Sequence, residues 1–382
     1  MEKGSLLTSQ EIPRTMKAVI LESPQKLVYK EIPTWSLLDY DDDDLVLVKV
    51  AACGLCGSDL RYYQGENPWT QHTLGRFVPN PPNIVLGHEF AGEVVAVRHQ
   101  RNEKLLGRRV APICSKVCGT CFYCKNGLAN LCPNTVHTGH GQGWGERTYY
   151  PGAYAEYVPV WANGCYEISP SLSWMEAAMM DLIGVSTHVT RKGKIKKDMP
   201  ALIIGAGPIG NGVIQVSKIS GAGTVVVIDQ AELPLDLAKK AGADLVFDNR
   251  SMSENDIKTA TLNKTNQVLP MTVIDTVGSR ESFGFGLDML GKGGTFVNVA
   301  VHDLALSINA LDIGSEKSIT TSCNFDTWDY SDSLKWLEEG KIQVADWIHS
   351  VSLAEIPAMF DQLIHSQKKD IFKVCIDMKS FN

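Results

Sequence analysis

The chain has 382 residues, of which 44% are hydrophobic and 21% charged, with a formal net charge of −7. That length exceeds one ordinary core and suits two domains, and the acidic balance gives no electrostatic case for nucleic acid or an anionic membrane as partner. No run approaches the roughly 18 apolar residues of a membrane span and the N-terminal stretch has no apolar core of signal-peptide length, so a cytoplasmic protein is expected, with its ten cysteines serving as metal ligands and buried thiols.

The first third reads as β-rich. Short apolar stretches at 17–21, 45–52 and 90–97 are separated by turn signals, among them Pro-Asn-Pro-Pro at 79–82. The four-acid run at 41–44 reads as a solvated hairpin tip, with a calcium site as the alternative. Residues 103–165 carry much Gly, Cys and aromatic character and little periodicity, as a lobe organised by a metal would. Within it Cys118, Cys121, Cys124 and Cys132 stand in C-x2-C-x2-C-x7-C spacing. Two-residue gaps let neighbouring thiolates converge, and four sulfur ligands suit a closed tetrahedral zinc with Zn–S bonds of roughly 2.3 Å; two disulfides are the alternative.

The texture changes near residue 173, where Ser173 offers an N-cap and Glu176 an acid in the first helical turn. From Pro200 strands at 201–204, 224–228, 245–247, 271–274 and 295–300 alternate with helices such as 208–220 and 233–241, which implies a parallel sheet covered on both faces. After about residue 324 aromatic and acidic residues return, and a strand at 372–376 closes the chain. The expected division is therefore 1–181 and 325–382 as one domain, with 182–324 inserted as a nucleotide-binding domain.

Gly205-Ala-Gly207-Pro-Ile-Gly210 follows an apolar strand and opens a helix whose Ile209, Val213 and Val216 share a face. In this context the glycines serve a tight turn, close approach of a pyrophosphate and close helix–strand packing, with the phosphates at the helix N-terminus. Asp229 ends the next strand, and Gln230, Ala231 and Glu232 follow it without an arginine. A carboxylate there accepts bonds from ribose hydroxyls and repels a 2′-phosphate, so NAD is expected in preference to NADP. Pro208, Ile209, Val277 and Ala300 are counted with this cofactor site.

A second metal set is sparser. Cys56-Gly-Ser58-Asp59 and Gly87-His88-Glu89 supply a thiolate and an imidazole, good zinc ligands but too few, and a catalytic zinc also keeps a position open. The C-G-S-D and G-H-E elements, the four-cysteine lobe and the G-A-G-P-I-G turn, in this order, resemble the zinc-dependent medium-chain alcohol dehydrogenases, within them the sorbitol, threonine and butanediol dehydrogenase branch. The likeness runs from about Met16 to the end of the chain. It implies an α/β protein with a GroES-like β-rich catalytic domain and a doubly wound Rossmann cofactor domain. It also implies two zinc ions per chain and NAD, a small alcohol or carbonyl substrate, and a homodimer or homotetramer. On the same resemblance Cys56 and His88 are catalytic zinc ligands and Glu89 is an acid beside the metal that ligates in some states. Asp59 orients the histidine, and Ser58 takes the proton of the substrate alcohol.

Three positions depart from the branch. Where polyol dehydrogenases carry a glutamate ligand, the ungapped match of 174–188 puts Asp181, chemically competent but one methylene shorter; the alternative is an acid that reaches the metal through water. Arg61 replaces a proton-relaying histidine and, unable to titrate, is expected either to face an anionic or strongly polar substrate beside Tyr62, or the cofactor phosphates, or to form a surface ion pair. Thr321 replaces a polyol-binding arginine, which argues against sorbitol itself. Tyr62, Trp69, Trp144 and Trp328 are pocket candidates or plain packing. Cys53, Cys114, Cys165, Cys323 and Cys375 are expected as buried thiols, and His188 has no assigned role. The resulting expectation is hydride transfer between NAD(H) and a secondary or polyhydroxylated alcohol. The alternatives are a primary alcohol or aldehyde hydrate as substrate, and a non-catalytic NAD-binding protein.

Overall fold

A computed structural model describes residues 6–300, 305–365 and 370–378. It divides into two units, Met1–Asp181 with Ile348–Asn382, and Leu182–Trp347. Among the described residues no helix is long and apolar enough to cross a membrane.

The first unit is built on an eight-stranded sheet whose central path runs Cys165–Glu167, Arg109–Pro112, Glu89–Val97, Leu45–Gly54, Lys373–Asp377, Ile348–Val351. Val46, Val48 and Val50 stiffen the strand Leu45–Gly54, which is buried at eight of its ten positions and so reads as one apolar run. Its pairing with Glu89–Val97 shifts register twice, between Leu47 and Val48 and between Val50 and Ala52, and such bulges bend and twist a strand. Three strand ends meet as a result: Gly54 lies opposite Glu89 on one side and Cys375 on the other. A separate three-stranded sheet of Lys26–Pro33, Thr15–Ser23 and Ile84–Val85 shares the same core. The acid run at 41–44 is more than a solvated tip, since Asp42 accepts from Lys116 Nζ at 2.6 Å and from the Trp161 indole at 3.0 Å.

The second unit holds a six-stranded, all-parallel sheet in the order Leu245–Asp248, Val225–Asp229, Ala201–Ile204, Thr272–Asp275, Thr295–Asn298, Ser318–Thr321. Alternation along the central strand decides which layer each residue joins. Ala201 and Ile203 pack into one apolar layer with Val213 and Ile214, and Leu202 and Ile204 into the opposite one with Phe283 and Phe296. The strand order reverses direction between Ala201–Ile204 and Thr272–Asp275, and beyond such a switch point an open α/β sheet leaves a crevice at its carboxyl ends.

The second unit also extends further than the composition suggests, to Trp347 rather than 324. The helix Thr327–Glu338 is fixed there by charge. Buried Asp329 accepts from His188 Nδ1 at 2.7 Å and pairs with Arg191, while Ser333 bonds Thr187 at 2.8 Å. Those partners lie on the helix Met180–Lys192, and this gives His188 a structural task.

Candidate active site and metal centres

Cys56 stands at the N-cap of the short helix Gly57–Tyr63, immediately beyond the end of the strand Leu45–Gly54. The Asp59 carboxylate closes back on the Cys56 backbone N–H at 3.0 Å and accepts from the Tyr154 hydroxyl at 2.8 Å, which fixes the turn. His88 and Glu89 lead into the neighbouring strand. One ligand atom each from Cys56, His88 and Glu89 lie within 4.8 Å of one another. His88 Nδ1 faces Asp59 Oδ1 at 3.5 Å. Burial opposes a charge on His88, but Asp59 and Cys56 outweigh it and raise its pKa, so this pocket favours a cation. Ser58 Oγ, two residues along from Cys56, is buried without a hydrogen-bond partner. A donor set of one thiolate, one imidazole and one carboxylate, with an orphaned hydroxyl close by in sequence, fits a catalytic zinc.

Glu89 has a second neighbour that sequence reading did not find. Lys373, 5% exposed, places Nζ 2.5 Å from Glu89 Oε2 and donates to the Leu55 carbonyl at 2.9 Å. Burial works against its charge, yet Glu89 and Cys56 outweigh that and raise its pKa. Asp181 lies outside the compact set. It is carried in the first turn of Met180–Lys192 and accepts from the buried Cys114 thiol at 3.8 Å. Burial pushes its pKa up to about 6, with His88 pulling down and Glu89 pushing up, so it senses both side chains without standing among them.

Of the two substrate candidates, Arg61 is engaged in the manner of the plainer reading, its guanidinium on Glu66 Oε2 at 2.5 Å and Gln71 Oε1 at 2.9 Å. Tyr62 presents no surface to a substrate, since its side chain is wholly buried and its hydroxyl bonds Asn67 at 3.2 Å. Trp69 and Trp144 are buried packing and Trp328 is exposed. Of the five other cysteines, Cys53, Cys114 and Cys375 are buried, whereas Cys165 and Cys323 are only partly so.

The four-cysteine lobe has free thiols, with neighbouring sulfurs 3.5 to 4.0 Å apart. Four sulfurs at tetrahedral corners around zinc stand about 3.8 Å apart, so the lobe fits a closed zinc. Backbone N–H groups of Thr120 and Cys121 lower the Cys118 pKa to about 5, whereas burial and the Cys121 thiol push Cys124 up to about 12, so one thiolate forms readily and a cation is needed to gather the rest.

In the second unit the three glycines stand in the turn after Ala201–Ile204. Gly205 sits at φ +92° with Thr276 and Val277 against it, and any side chain at Gly210 would collide with the Gly205 carbonyl. A Cβ on Gly207 would meet nothing within 4 Å, which leaves an open cradle at the N-terminus of the helix Pro208–Ile219, suited to a pyrophosphate. The Asp229 carboxylate takes backbone N–H groups from Ala206 (2.7 Å), Gln230 (2.6 Å) and Ala231 (2.9 Å). Only one of these falls on Oδ2, so that oxygen keeps acceptor capacity for a ribose hydroxyl. Val277 follows the adjacent strand across the switch point and is 44% exposed; Ala300 follows the next one and accepts from Asn298 Nδ2 at 3.2 Å.

The family description "Alcohol dehydrogenase GroES-like domain" matches residues 42–170, and "Zinc-binding dehydrogenase" matches 208–339. A sorbitol dehydrogenase of Bacillus subtilis is 31% identical over 291 residues, 76% of each chain. The chain belongs to the zinc-dependent medium-chain alcohol dehydrogenase family. A "Probable D-xylulose reductase A" of Aspergillus clavatus is 30% identical over 350 residues, covering 91% of this chain and 92% of the relative. Among solved structures, a "putative zinc-binding dehydrogenase" of Sinorhizobium meliloti 1021 bound to NADP superposes with a TM-score of 0.81 at 26% identity, covering 95% of this chain and 99% of that one. This protein is accordingly an oxidoreductase acting on CH–OH groups, and zinc and a nicotinamide dinucleotide are its cofactors.

Two buried histidines escaped sequence reading. His137 and His140 stack at 3.9 Å, and His140 lies 4.5 Å from the His88 ring. Burial lowers the pKa of both, that of His137 to about 3, so both are neutral. Their segment, T-V-H-T-G-H-G, has no period and no ligand spacing; the glycines on either side of His140 were its one local signal.

Proposed function

We propose that this protein oxidises a secondary alcohol of the polyol class with NAD, and reduces the matching ketone in reverse. The single observation that carries the reading is the convergence of Cys56, His88 and Glu89 next to the orphaned Ser58 hydroxyl. Zinc, when bound, supplies a Lewis acid that acidifies the substrate hydroxyl, and NAD accepts the hydride. Cys56 and His88 hold the ion, with Glu89 as third ligand in the resting state. Lys373 draws Glu89 toward itself and so tunes its hold on the ion. Asp181 adds a negative charge nearby, Asp59 fixes the His88 ring, and Ser58 Oγ would relay the proton of the substrate hydroxyl, taking it while passing its own toward the ribose of the nicotinamide. Cys118, Cys121, Cys124 and Cys132 hold the second, closed zinc. Gly207 receives the pyrophosphate and Asp229 Oδ2 a ribose hydroxyl, an arrangement that a 2′-phosphate would disturb. The subunits are proposed to assemble as dimers or tetramers in the cytoplasm.

Metal analysis and a substrate panel test the reading together. Protein prepared with zinc should hold at least two ions per chain and reduce NAD with secondary alcohols faster than with primary ones. The polyol panel should include sorbitol in the forward direction and D-xylulose with NADH in reverse. A single zinc, or faster turnover of primary alcohols, would contradict it. Asp229→Ser should raise KM for NAD roughly 10- to 100-fold, the worth of a charge-assisted hydrogen bond, and bring NADP closer to NAD. Equal use of NADP and NAD by the unmodified protein would rule out this role for Asp229.

A further inference from the structure

Beside the Cys56–His88–Glu89 set lies a second convergence of donors. One oxygen of Asp59 and one ring nitrogen each of His88 and His140 lie within 4.8 Å of one another, all three residues buried. Both nitrogens of His140, 7% exposed, lack hydrogen-bond partners, and Asp59 Oδ1 and His88 Nδ1 meet only each other, at a loose 3.5 Å. Buried polar atoms left without partners cost of order 1–3 kcal/mol each, so a bound ligand would stabilise them. The His140 ring is held in place for such a ligand. It is sandwiched between Tyr62, 4.7 Å away, and His137, 3.9 Å away. Its backbone is pinned by Gly139 at φ +85°, where a Cβ would press on the Gly87 carbonyl at 2.5 Å, and by the Gly139 N–H bond to the Pro151 carbonyl at 2.7 Å.

From this geometry we infer that Asp59, His88 and His140 form a second divalent-metal position that shares the His88 ring with the catalytic set, His88 then bridging the two ions as an imidazolate and releasing its remaining ring proton to solvent. Two imidazoles and a carboxylate suit zinc or a similar transition ion, whereas calcium and magnesium prefer all-oxygen shells. Ligand atoms about 2.1 Å from a tetrahedral zinc stand about 3.4 Å apart, so donors lying within 4.8 Å of one another close on an ion with movements of up to about 1 Å. An ion there takes the Asp59 oxygen that otherwise faces His88, so filling it inhibits. Loss of such an orienting partner typically slows turnover about 10- to 100-fold. The inference rests on the reading of Cys56, His88 and Glu89 as the catalytic set.

Equilibrium dialysis of the holoenzyme against low-micromolar zinc, followed by elemental analysis, separates the possibilities. The unmodified protein should bind three zinc ions per chain and slow as the third enters. His140→Phe, which keeps the ring stack, should stop at two and keep its rate in the same zinc. Zinc-edge anomalous scattering from zinc-soaked crystals of the unmodified protein should show a peak among the three side chains, a readout that does not depend on the variant folding. No peak there, or equal zinc content in both proteins, overturns the inference; a buried water would then fill the pocket. Two ions in the unmodified protein overturn it alone, whereas a single ion overturns the catalytic-metal reading with it.

Discussion

Lys373→Met is expected to destabilise the metal-free protein by about 3–5 kcal/mol, the usual cost of leaving one partner of a buried ion pair uncompensated. Methionine fills nearly the same volume with an unbranched chain, so loss of packing contributes little. What remains is the Glu89 carboxylate, 2% exposed, without the ammonium 2.5 Å away, and a Leu55 carbonyl without its donor. Because the Lys373 pKa is raised in the folded state, its contribution is complete at neutral pH and is lost only as pH climbs beyond about 10.5 through the folded value. Zinc reverses much of the damage by giving Glu89 another cation, so the deficit in denaturant unfolding should shrink on metal loading. Glu89→Gln in the same chain should also recover most of it. A single-variant loss below about 1 kcal/mol, or a double variant as unstable as Lys373→Met, would show that the pair is not the main term.

Asp181→Asn should have the opposite effect on the metal-free protein. A carboxylate with a folded pKa of about 6 and an ordinary unfolded value near 3.8 binds more protons when folded. Stability therefore falls as pH rises from about 4 to about 6, and the shift corresponds to roughly 3 kcal/mol above that window. The amide removes this penalty, less the cost of burying its own polar groups, while its oxygen can still accept from Cys114. The expected result is a metal-free variant about 1–3 kcal/mol more stable than the parent at pH 7.5 and nearly unchanged at pH 4, with weaker zinc retention under chelation. If the variant gains nothing at pH 7.5 relative to pH 4, the Asp181 carboxylate is not held back by burial.

These two residues also mark where sequence reading ended. The cysteine lobe was legible because its four ligands lie within one short stretch, and the dinucleotide turn because strand, glycines and helix are consecutive. Cys56 and His88 were legible as ligand types. Their third partner was not, because Glu89 and Asp181 are both competent acids and only packing decides which one stands close. Lys373 gave no signal at all. Its role depends on the C-terminal strand pairing with Leu45–Gly54, a register that local pattern does not specify. The second unit runs to Trp347, past the expected 324, for a related reason. Asp326, Trp328 and Asp329 resemble the composition of the first domain, but the partners of Asp329 are His188 and Arg191, on a helix far back in the chain. Arg61 was legible as either an ion pair or a ligand contact, and its pair with Glu66 matches the first of these.

The discontinuity of the first unit has a consequence for synthesis on the ribosome. Residues 182–347 are contiguous, so the parallel sheet has all its strands as soon as that segment emerges. The sheet that carries Cys56 and Glu89 still lacks Ile348–Val351 and Lys373–Asp377 at that moment. At typical translation rates of about 5–20 residues per second, Glu89 waits on the order of tens of seconds for its ammonium partner. The nascent chain thus passes through a stage in which the nucleotide-binding half is complete while the metal-binding half has an open sheet edge. A chain released at Trp347 would remain at that stage.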